Sequence, residues 1–242
     1  MKQINATTIK VIAIFAMTLD HIAYTFVPYD TATYYIMRLI GRLTAPLMCF
    51  FLAEGFRHTH DRKKYLLRLC CFAAVTQPIY YVFFYHSYPK NMFTFITHMN
   101  VMYTLAVALL VLIIVTSEKL PSMYKIILAV VVSSFAQLGD WSLLVPAWTL
   151  IFFFFNRDKK KMYLAFLVCS LILLPYLYLK QFSSFASFSY NYAVLLALIP
   201  ITMYNGQRSS DSSLLKKKIS KWFFYVYYPL HMMILYLIFI KV

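Results

Sequence analysis

Long apolar runs, separated by short polar segments, recur along the whole chain and limit what it can fold into. A helix of about 20 apolar residues crosses the hydrocarbon layer of a bilayer. A helix also satisfies its own backbone hydrogen bonds, which a membrane interior requires. The pattern predicts an all-α, polytopic transmembrane helix bundle of about nine spans, with residues 31–41 as a short interfacial helix before the second span. The predicted spans are residues 7–27, 42–57, 64–85, 100–116, 122–138, 141–156, 161–180, 187–205 and 222–241.

The composition excludes a water-soluble fold for this chain of 242 residues. Hydrophobic residues make up 62% of the chain and charged residues 13%. Soluble domains are about half apolar and about a quarter charged. Because the chain has only four glycines, flexible linkers between domains are not expected. We predict a single integral membrane domain over residues 1–242.

The basic residues predict the direction in which the spans run, because cytoplasmic loops carry an excess of lysine and arginine. With the amino terminus inside and the carboxyl terminus outside, nine spans place 18 of the 23 basic residues inside. The net charge of +15 is then explained by contact with anionic membrane lipid, and no nucleic acid is expected as a partner. The inside residues are Lys2, Lys10, Arg57, Arg62, Lys63, Lys64, Arg68, Lys119, Lys125, Arg157, Lys159, Lys160, Lys161, Arg208, Lys216, Lys217, Lys218 and Lys221, and the outside residues are Lys90, Lys180 and Lys241.

Three acidic side chains, Asp20, Glu54 and Asp140, are not placed in polar loops by this arrangement, and Asp140 is expected to cap an outer turn. A charge in such a position costs about 3 kcal/mol, so it normally faces the bundle interior and has a partner. We predict that Asp20 pairs with Arg42 or Arg38, near the outer end of the second span. Glu54 precedes Arg57 by three residues, a spacing that favours a salt bridge near a helix end.

Two histidines are candidates for chemistry within the membrane. Adjacent residues on a helix point about 100° apart, so Asp20 is poorly placed to orient His21, which we expect to face a cavity. His231 follows the helix-kinking Pro229 in the last span and is predicted at a depth comparable to that of His21. The pair Gln77-Pro78 is predicted to break the third span. The residues alone leave two interpretations of the histidines open, a functional site and a buried polar lock between helices.

The segment between the second and third spans, RHTHDRKKYLLR (57–68), is densely basic. It has two interpretations, contact with lipid headgroups and binding of an anionic cofactor, because arginine and lysine bind phosphates well. No metal site is predicted, since the side chains of His58 and His60 diverge on a helix. The candidates for phosphate binding are Arg57, Arg62, Lys63, Lys64 and Arg68.

Five segments of the chain, in this order and spacing, carry a family resemblance. They are K-x-IAIFAMTLDHIAY (10–24), RLIGRLTAPLMCFFLAEGFRHTHDRKKYLLRL (38–69), TQPIYY (76–81), HMN (98–100) and FYVYYPLHMMIL (224–235). Together they resemble the TraX family of polytopic membrane acetyltransferases, which looks related to the wider membrane acyltransferase-3 and heparan-glucosamine acetyltransferase group. One departure is Ala45, where an aromatic residue commonly precedes the proline.

The resemblance implies that an acetyl group moves from acetyl-CoA to an acceptor at the bacterial cytoplasmic (inner) membrane. The acceptor is then the amino terminus of an exported peptide, or an amine or hydroxyl of a cell-envelope glycan. It implies that His21 is the general base, or carries the acetyl group as an acetyl-imidazole. Asp20 and Arg42 hold the outer vestibule, Arg42 stabilises oxyanion charge, and His231 forms a second wall. The five basic residues of 57–68 would bind the CoA phosphates.

Two rival interpretations remain open at the level of the sequence. In the first, a proton-coupled transporter or flippase uses the same buried His, Asp and Arg group without acyl chemistry. In the second, the polar residues of a non-catalytic assembly factor only fix the packing of helices.

Overall fold

The computed structural model describes residues 3–87, 89, 91–178, 189–207 and 214–241, with side chains throughout except at 178 and 214–221. Regular structure in these ranges is helical, and extended backbone pairs there at two isolated bridges. The predicted all-α fold class is confirmed. The α-helices are α1 (Ala6–Phe26), α2 (Ala32–Gly41), α3 (Thr44–His58), α4 (Arg62–Tyr85), α5 (Met92–Ile96), α6 (Val101–Val115), α7 (Ser122–Ser134), α8 (Leu144–Phe154), α9 (Lys159–Tyr178), α10 (Leu198–Thr202) and α11 (Leu214–Phe239), and 3₁₀ helices cover Phe135–Leu138 and Tyr190–Ala197.

Five helical segments in the described ranges are long and apolar enough to cross a membrane. These candidate spans are Ala6–Phe26, Ala32–His58, Arg62–Tyr85, Lys159–Leu177 and Trp222–Phe239. The other four predicted spans coincide with shorter apolar helices at Val101–Val115, Ser122–Leu138, Leu144–Phe154 and Tyr190–Thr202. A polytopic membrane protein is therefore supported, while the count of nine spans and their orientation stay predictions.

Part of the charge pattern behind the predicted orientation lies outside the described residues. This applies to Lys2, Lys90, Lys180 and Arg208, and to the side chains of Lys216, Lys217, Lys218 and Lys221. The ends of the predicted spans 161–180 and 187–205 also fall there.

The second candidate span is longer than the sequence predicted, because it includes the segment assigned to an interfacial helix. Helices α2 and α3 together make one apolar segment of 27 residues, Ala32–His58. Only Arg42 and Leu43 separate the two helices, and the Arg42 N–H still donates to the Arg38 carbonyl at 3.1 Å. Because backbone hydrogen bonding continues through the junction, no exposed polar turn is needed there.

The prediction that Gln77-Pro78 breaks the third span is wrong. Helix α4 runs from Arg62 to Tyr85 with Pro78 inside it. Proline is tolerated inside membrane helices because neighbouring groups can satisfy the carbonyl that its missing N–H leaves behind.

Polar side chains begin several of the helices. Asn5, Asp61, Asn100 and Asp158 each accept an N–H from the residue three positions further on, at 2.9, 2.9, 3.4 and 3.1 Å. This satisfies backbone donors that the first helical turn leaves unpaired. The same bonds favour the charged carboxylates, so they hold the pKa of Asp61 and the pKa of Asp158 below the usual value for aspartate.

The chain packs as two compact units, and the sequence passes from one to the other inside α3 and again at the end of α9. Unit 1 comprises Met1–Met48 and Tyr178–Val242, and unit 2 comprises Cys49–Leu177. In unit 1, α1 packs against α2 and α11. In unit 2, α6 is the central helix and packs against α4, α7 and α8. The single domain predicted for residues 1–242 is not tested by this division and stays a prediction.

Candidate functional site

Three helices of unit 1 bring together the polar residues that the sequence singled out within its first, second and last spans. Helix α1 supplies Asp20 and His21, α2 and its end supply Arg38 and Arg42, and α11 supplies His231. Since α1 packs on both α2 and α11, its two adjacent polar residues contact different neighbours. Asp20 pairs with the arginines, and His21 pairs with His231.

The Asp20 carboxylate is shared between two arginines. Its Oδ2 accepts from Arg38 Nη1 at 2.7 Å, and its Oδ1 and Oδ2 accept from Arg42 Nη2 at 2.7 and 3.0 Å. The sequence predicted one partner or the other, and the structure has both. Arg38 and Arg42 are four residues apart, a spacing that places side chains on one face of a helix.

Gly41 permits this close approach of α1 and α2. A Cβ atom at this position would overlap the carboxyl group and Cβ of Asp20. Only glycine leaves that space empty, so the side chain of Asp20 can lie against the backbone of α2. The sequence GR in RLIGRL is thus explained as one unit, in which Gly41 makes room for the carboxylate that Arg42 binds.

Tyrosine rings enclose the arginine side of the cluster. The Arg38 Cζ lies 5.9, 5.8 and 5.7 Å from the ring centroids of Tyr24, Tyr34 and Tyr190, distances typical of cation–π contacts. The Arg42 Cζ lies 5.5 Å from the same Tyr190 ring. Aromatic faces stabilise a guanidinium without supplying a counter-charge, so they keep both cations in place without neutralising them.

His21 and His231 form a buried pair. His21 Nδ1 lies 2.7 Å from His231 Nε2, and the two rings are parallel to within 1°. Only 7% of His21 and 5% of His231 is exposed. The other ring nitrogen of His231, Nδ1, lies 2.8 Å from the carbonyl oxygen of Tyr227.

These contacts fix which nitrogen of each neutral ring carries its proton. A carbonyl oxygen only accepts, so His231 Nδ1 carries the proton and donates to Tyr227. In a neutral imidazole the second nitrogen is then an acceptor, which makes His21 Nδ1 the donor in the 2.7 Å contact. It follows that the lone pair of His21 is on Nε2.

Tyr227 also supports the pair through its side chain. Its ring stacks on His231 with a centroid distance of 5.0 Å, and its hydroxyl lies 2.7 Å from Thr18 Oγ1. Because Thr18 Oγ1 donates its proton to the Ile14 carbonyl, the tyrosine hydroxyl is the donor to Thr18. Helices α1 and α11 are therefore joined by the two histidines and, one turn along α1, by Thr18 and Tyr227.

The basic residues of 57–68 lie in unit 2, at the end of α3 and the start of α4, and two of them are engaged by the protein. Arg57 is paired with Glu54, as predicted, and its Nη2 donates to the Phe152 carbonyl at 2.5 Å. The Arg62 guanidinium lies 4.3 Å from the centroid of the Phe56 ring.

The remaining members of this set are partly or fully open. Lys63 and Lys64 are exposed, with Lys64 Nζ 3.1 Å from an Asp61 carboxylate oxygen. Arg68 is half-buried over the Tyr65 ring at 5.5 Å. Lys63 and Lys64 are thus the cations most available to an outside ligand.

Comparison with known proteins identifies the family. The protein family described as "TraX protein" matches residues 5–239, a range that contains all the site residues named above. The chain belongs to the TraX family. This TraX family member is also 34% identical, over 236 residues, to the "Probable fimbrial assembly protein FimC, serogroup H1" of Dichelobacter nodosus. The match covers 96% of this chain and 94% of that relative. No solved structure matches the chain.

The sequence of this TraX family member did not reveal three residues of the site. Tyr227 contributes a main-chain carbonyl, whose position no side-chain pattern reports. Tyr190 and Asn191 come from the 3₁₀ helix Tyr190–Ala197, and Asn191 Oδ1 lies 3.4 Å from Arg42 Nη1. The polar stretch SYNY (189–192) at the start of an apolar run is the signal that could have indicated them.

Proposed function

We propose that this TraX family member is an acetyltransferase of the bacterial cytoplasmic membrane. It would move an acetyl group from acetyl-CoA to an amine or hydroxyl of an acceptor handled at the membrane. The observation that carries this proposal is the hydrogen-bond chain from the Tyr227 carbonyl through His231 to His21. These hydrogen bonds leave the lone pair of His21 on Nε2, the atom that would take the proton of the acceptor in acyl transfer.

The acceptor we propose is the amino terminus of an exported fimbrial subunit. The name of the Dichelobacter nodosus relative describes fimbrial assembly, which supports an exported peptide over other acceptors. An amine or hydroxyl of a cell-envelope glycan is the second candidate, because the same base would activate it.

In the proposed reaction, His21 Nε2 takes a proton from the acceptor as its nitrogen or oxygen attacks the thioester carbonyl carbon. The C–S bond then breaks, the acetyl group stays on the acceptor, and CoA leaves as a thiolate. The protonated His21 returns the proton to that thiolate, giving free CoA. An acetyl-imidazole at His21 is the alternative route, with the histidine itself attacking the thioester.

His231 orients His21 in this proposal. Both nitrogens of its ring are hydrogen-bonded within the protein, to Tyr227 and to His21. It holds the His21 ring and stabilises the imidazolium that forms, as the third residue of a hydrolase triad does for its histidine. The predicted contact of His231 with substrate stays a prediction.

The arginine cluster supplies electrostatic stabilisation in this proposal. Arg42 is bound to Asp20, the residue next to His21, so its position is fixed before the substrate arrives. A preorganised cation in a low-dielectric site stabilises the negative oxygen of a tetrahedral intermediate more strongly than it would in water.

For the donor, we propose that the exposed basic residues at the start of α4 bind the CoA phosphates. Lys63 and Lys64 are the leading candidates, followed by Arg62 and Arg68. Arg57 contributes less, because Glu54 and the Phe152 carbonyl already engage its guanidinium.

The decisive experiment uses the purified full chain in proteoliposomes with acetyl-CoA labelled in the acetyl group and membrane extract from the source cell. We expect label in a peptide or glycan product together with release of CoA. His21→Gln should lower this transfer at least about a hundredfold. Label bound to His21 after a rapid quench without acceptor would select the acetyl-imidazole route.

Two results would contradict the proposal. One is the absence of both transfer and hydrolysis by a folded wild-type protein. The other is solute uptake driven by a proton gradient without CoA release, which would favour the transporter.

The donor assignment has its own matched test. Lys63→Gln with Lys64→Gln should raise the KM for acetyl-CoA several-fold, whereas Lys159→Gln with Lys160→Gln removes the same charge at the start of α9 and should not. Equal KM values for both double variants would remove Lys63 and Lys64 from the donor site.

A further inference from the structure

The charges of the Asp20 cluster do not balance. Arg38 and Arg42 both pair with the Asp20 carboxylate, so these three side chains together carry a net charge of +1. In the sequence of unit 1 the other acidic residues are Asp30 and Asp211. Asp30 is exposed and accepts a hydrogen bond from the Tyr35 hydroxyl, and Asp211 lies outside the described residues. An unbalanced charge at membrane depth is costly, so it normally marks a place where a counter-charge binds.

Arg38 is the member of the cluster whose hydrogen bonding is incomplete. Its side chain is 13% exposed, and its Nε is buried and has no hydrogen-bond partner among the described residues. Its Nη1 is bound to Asp20, whereas Nε belongs to another edge of the planar guanidinium. A buried donor without an acceptor costs about as much as a lost hydrogen bond. An oxyanion of a ligand would satisfy it and the excess charge together.

The surrounding rings restrict what kind of anion fits. Tyr24, Tyr34 and Tyr190 lie around the Arg38 guanidinium and leave it in an aromatic enclosure. Guanidinium binds planar carboxylates and phosphate oxygens through paired N–H groups. One excess charge matches a group with one negative charge. The several phosphate charges of CoA match this cluster less well than they match the basic residues of unit 2.

We propose that Arg38, supported by Arg42, binds a singly charged oxyacid group of the acceptor, a carboxylate or a phosphodiester. The role of the ligand as acceptor rests on the proposed acetyltransferase function, whereas the anion site itself does not. Arg38 is then a specificity-determining residue that selects acceptors carrying an anionic group close to the amine or hydroxyl that is acetylated.

The test measures binding without turnover, by titration calorimetry of the purified full chain at constant ionic strength. The probes are 4-methylbenzoate, dimethyl phosphate and the neutral 4-methylbenzamide. We expect one or both anions to bind and the amide not to bind. Arg38→Gln should weaken anion binding at least about tenfold, Arg38→Lys should retain part of it, and Lys241→Gln, at an exposed site beyond α11, should leave it unchanged.

A second variant protects the test against a simple loss of folding. Asp20→Asn removes the shared counter-charge and raises the excess to two, so anion binding should become tighter by several-fold. A damaged fold cannot produce that gain. Weaker binding by a folded Asp20→Asn, or equal binding by wild type and Arg38→Gln, would overturn the proposal.

A third probe separates the acceptor from the donor. Adenosine 3′,5′-bisphosphate carries phosphates like those of CoA. If it binds in an Arg38-dependent way while both singly charged probes fail, the cluster serves the donor and the proposal is overturned. If the singly charged probes bind and no acetyl transfer is ever detected, the anion site stands and the acetyltransferase function falls.

Discussion

Each of the two units contains a buried polar network, and the two networks differ in charge and in completeness. In unit 2, Asn100 Nδ2 donates to the Ala73 carbonyl and to Gln77 Oε1, both at 2.8 Å, and Asn100 Oδ1 caps α6. Gln77 Nε2 in turn donates to the carbonyls of Phe95 and His98, at 3.2 and 2.8 Å. All of these groups are neutral, and both amides have partners on their donor and acceptor atoms.

The network of unit 1 has the opposite character. It contains three charged groups with an excess of one, an imidazole pair with a defined proton order, and a buried Arg38 Nε without a partner among the described residues. A fully satisfied polar network rigidifies and specifies packing, whereas ionisable groups at membrane depth more often mark a functional site. The comparison favours a structural role for the unit 2 network and a functional role for the unit 1 cluster.

Among the variants that test this difference between the units, Gly41→Ala should lower stability and acetyl transfer the most. The new Cβ would overlap the Asp20 carboxyl group and separate it from its arginines. Breaking a buried ion pair costs about 3–5 kcal/mol, so we expect a large drop in the thermal midpoint together with loss of acetyl transfer.

The matched control is Gly55→Ala in α3, where the nearest atom to a new Cβ is the Tyr65 hydroxyl at 3.1 Å. Tyr65 can shift, so this variant should lose much less stability. Similar losses for both substitutions would show that the Asp20 contact has no special importance.

Asn100→Leu should have the next largest effect, on stability alone. It removes the side-chain donor to Gln77 Oε1 and to the Ala73 carbonyl and the cap of α6, while the backbone N–H of residue 100 still donates to Gln77 Oε1, and we expect a cost of about 2 kcal/mol. Thermal unfolding in detergent measures this loss, and transfer per folded molecule should not change.

The double variant Asn100→Leu with Gln77→Leu sharpens the test. Removing both amides should cost less than the sum of the single losses, because fewer buried groups remain unpaired. Reduced transfer per folded molecule in these variants would remove the contrast between the units.

His231→Leu should lower kcat about tenfold, which corresponds to about 1.4 kcal/mol, without changing the KM for acetyl-CoA. The expected reason is that His21 loses the acceptor that orients its Nδ1–H. His231→Asn, whose amide oxygen can accept that proton, should recover part of the rate. An unchanged kcat for His231→Leu would limit the pair to packing.

The smallest expected effect is that of Asp158→Ala at the start of α9. The Asp158 carboxylate accepts the Lys161 N–H, and its lowered pKa means that the folded protein favours the charged form. The Asp158 carboxylate therefore stabilises the folded protein at pH values above the ordinary pKa of aspartate. This stabilisation is lost as the pH falls through the lower pKa of the folded state. The thermal midpoints of variant and wild type should differ slightly at pH 7 and converge in acid.

The sequence was sufficient to predict the membrane class, the helical segments and the residues around Asp20. The length of the apolar runs and the cost of a charge within the membrane determine these features, and both can be read directly from the order of the residues. Pairing of Asp20 with the arginines could be predicted because α1 and the second span are adjacent in the chain.

For His21 and His231 the sequence predicted a similar depth in the membrane but not a contact, because 210 positions separate them in sequence. The position of the proton on each histidine ring depends on the Tyr227 carbonyl. The sharing of Asp20 by two arginines depends on the space that Gly41 leaves beside the backbone of α2. The prediction that Pro78 breaks α4 was wrong because the sequence shows that proline lacks an N–H. It does not show which neighbouring groups bind the carbonyl that is left without a donor.

The hydrogen-bond acceptor of His231 Nδ1–H is the main-chain carbonyl oxygen of Tyr227. The position of the proton on each histidine ring is therefore independent of the side chain at position 227. Substituting Tyr227 would change the ring stacking and the contact with Thr18, while the carbonyl remains to receive the His231 proton. The aromatic ring beside His231 could therefore be changed without reversing which nitrogen of each histidine carries the proton. Position 227 is therefore the place in this site where the shape of a side chain and the protonation of the histidines can be varied separately.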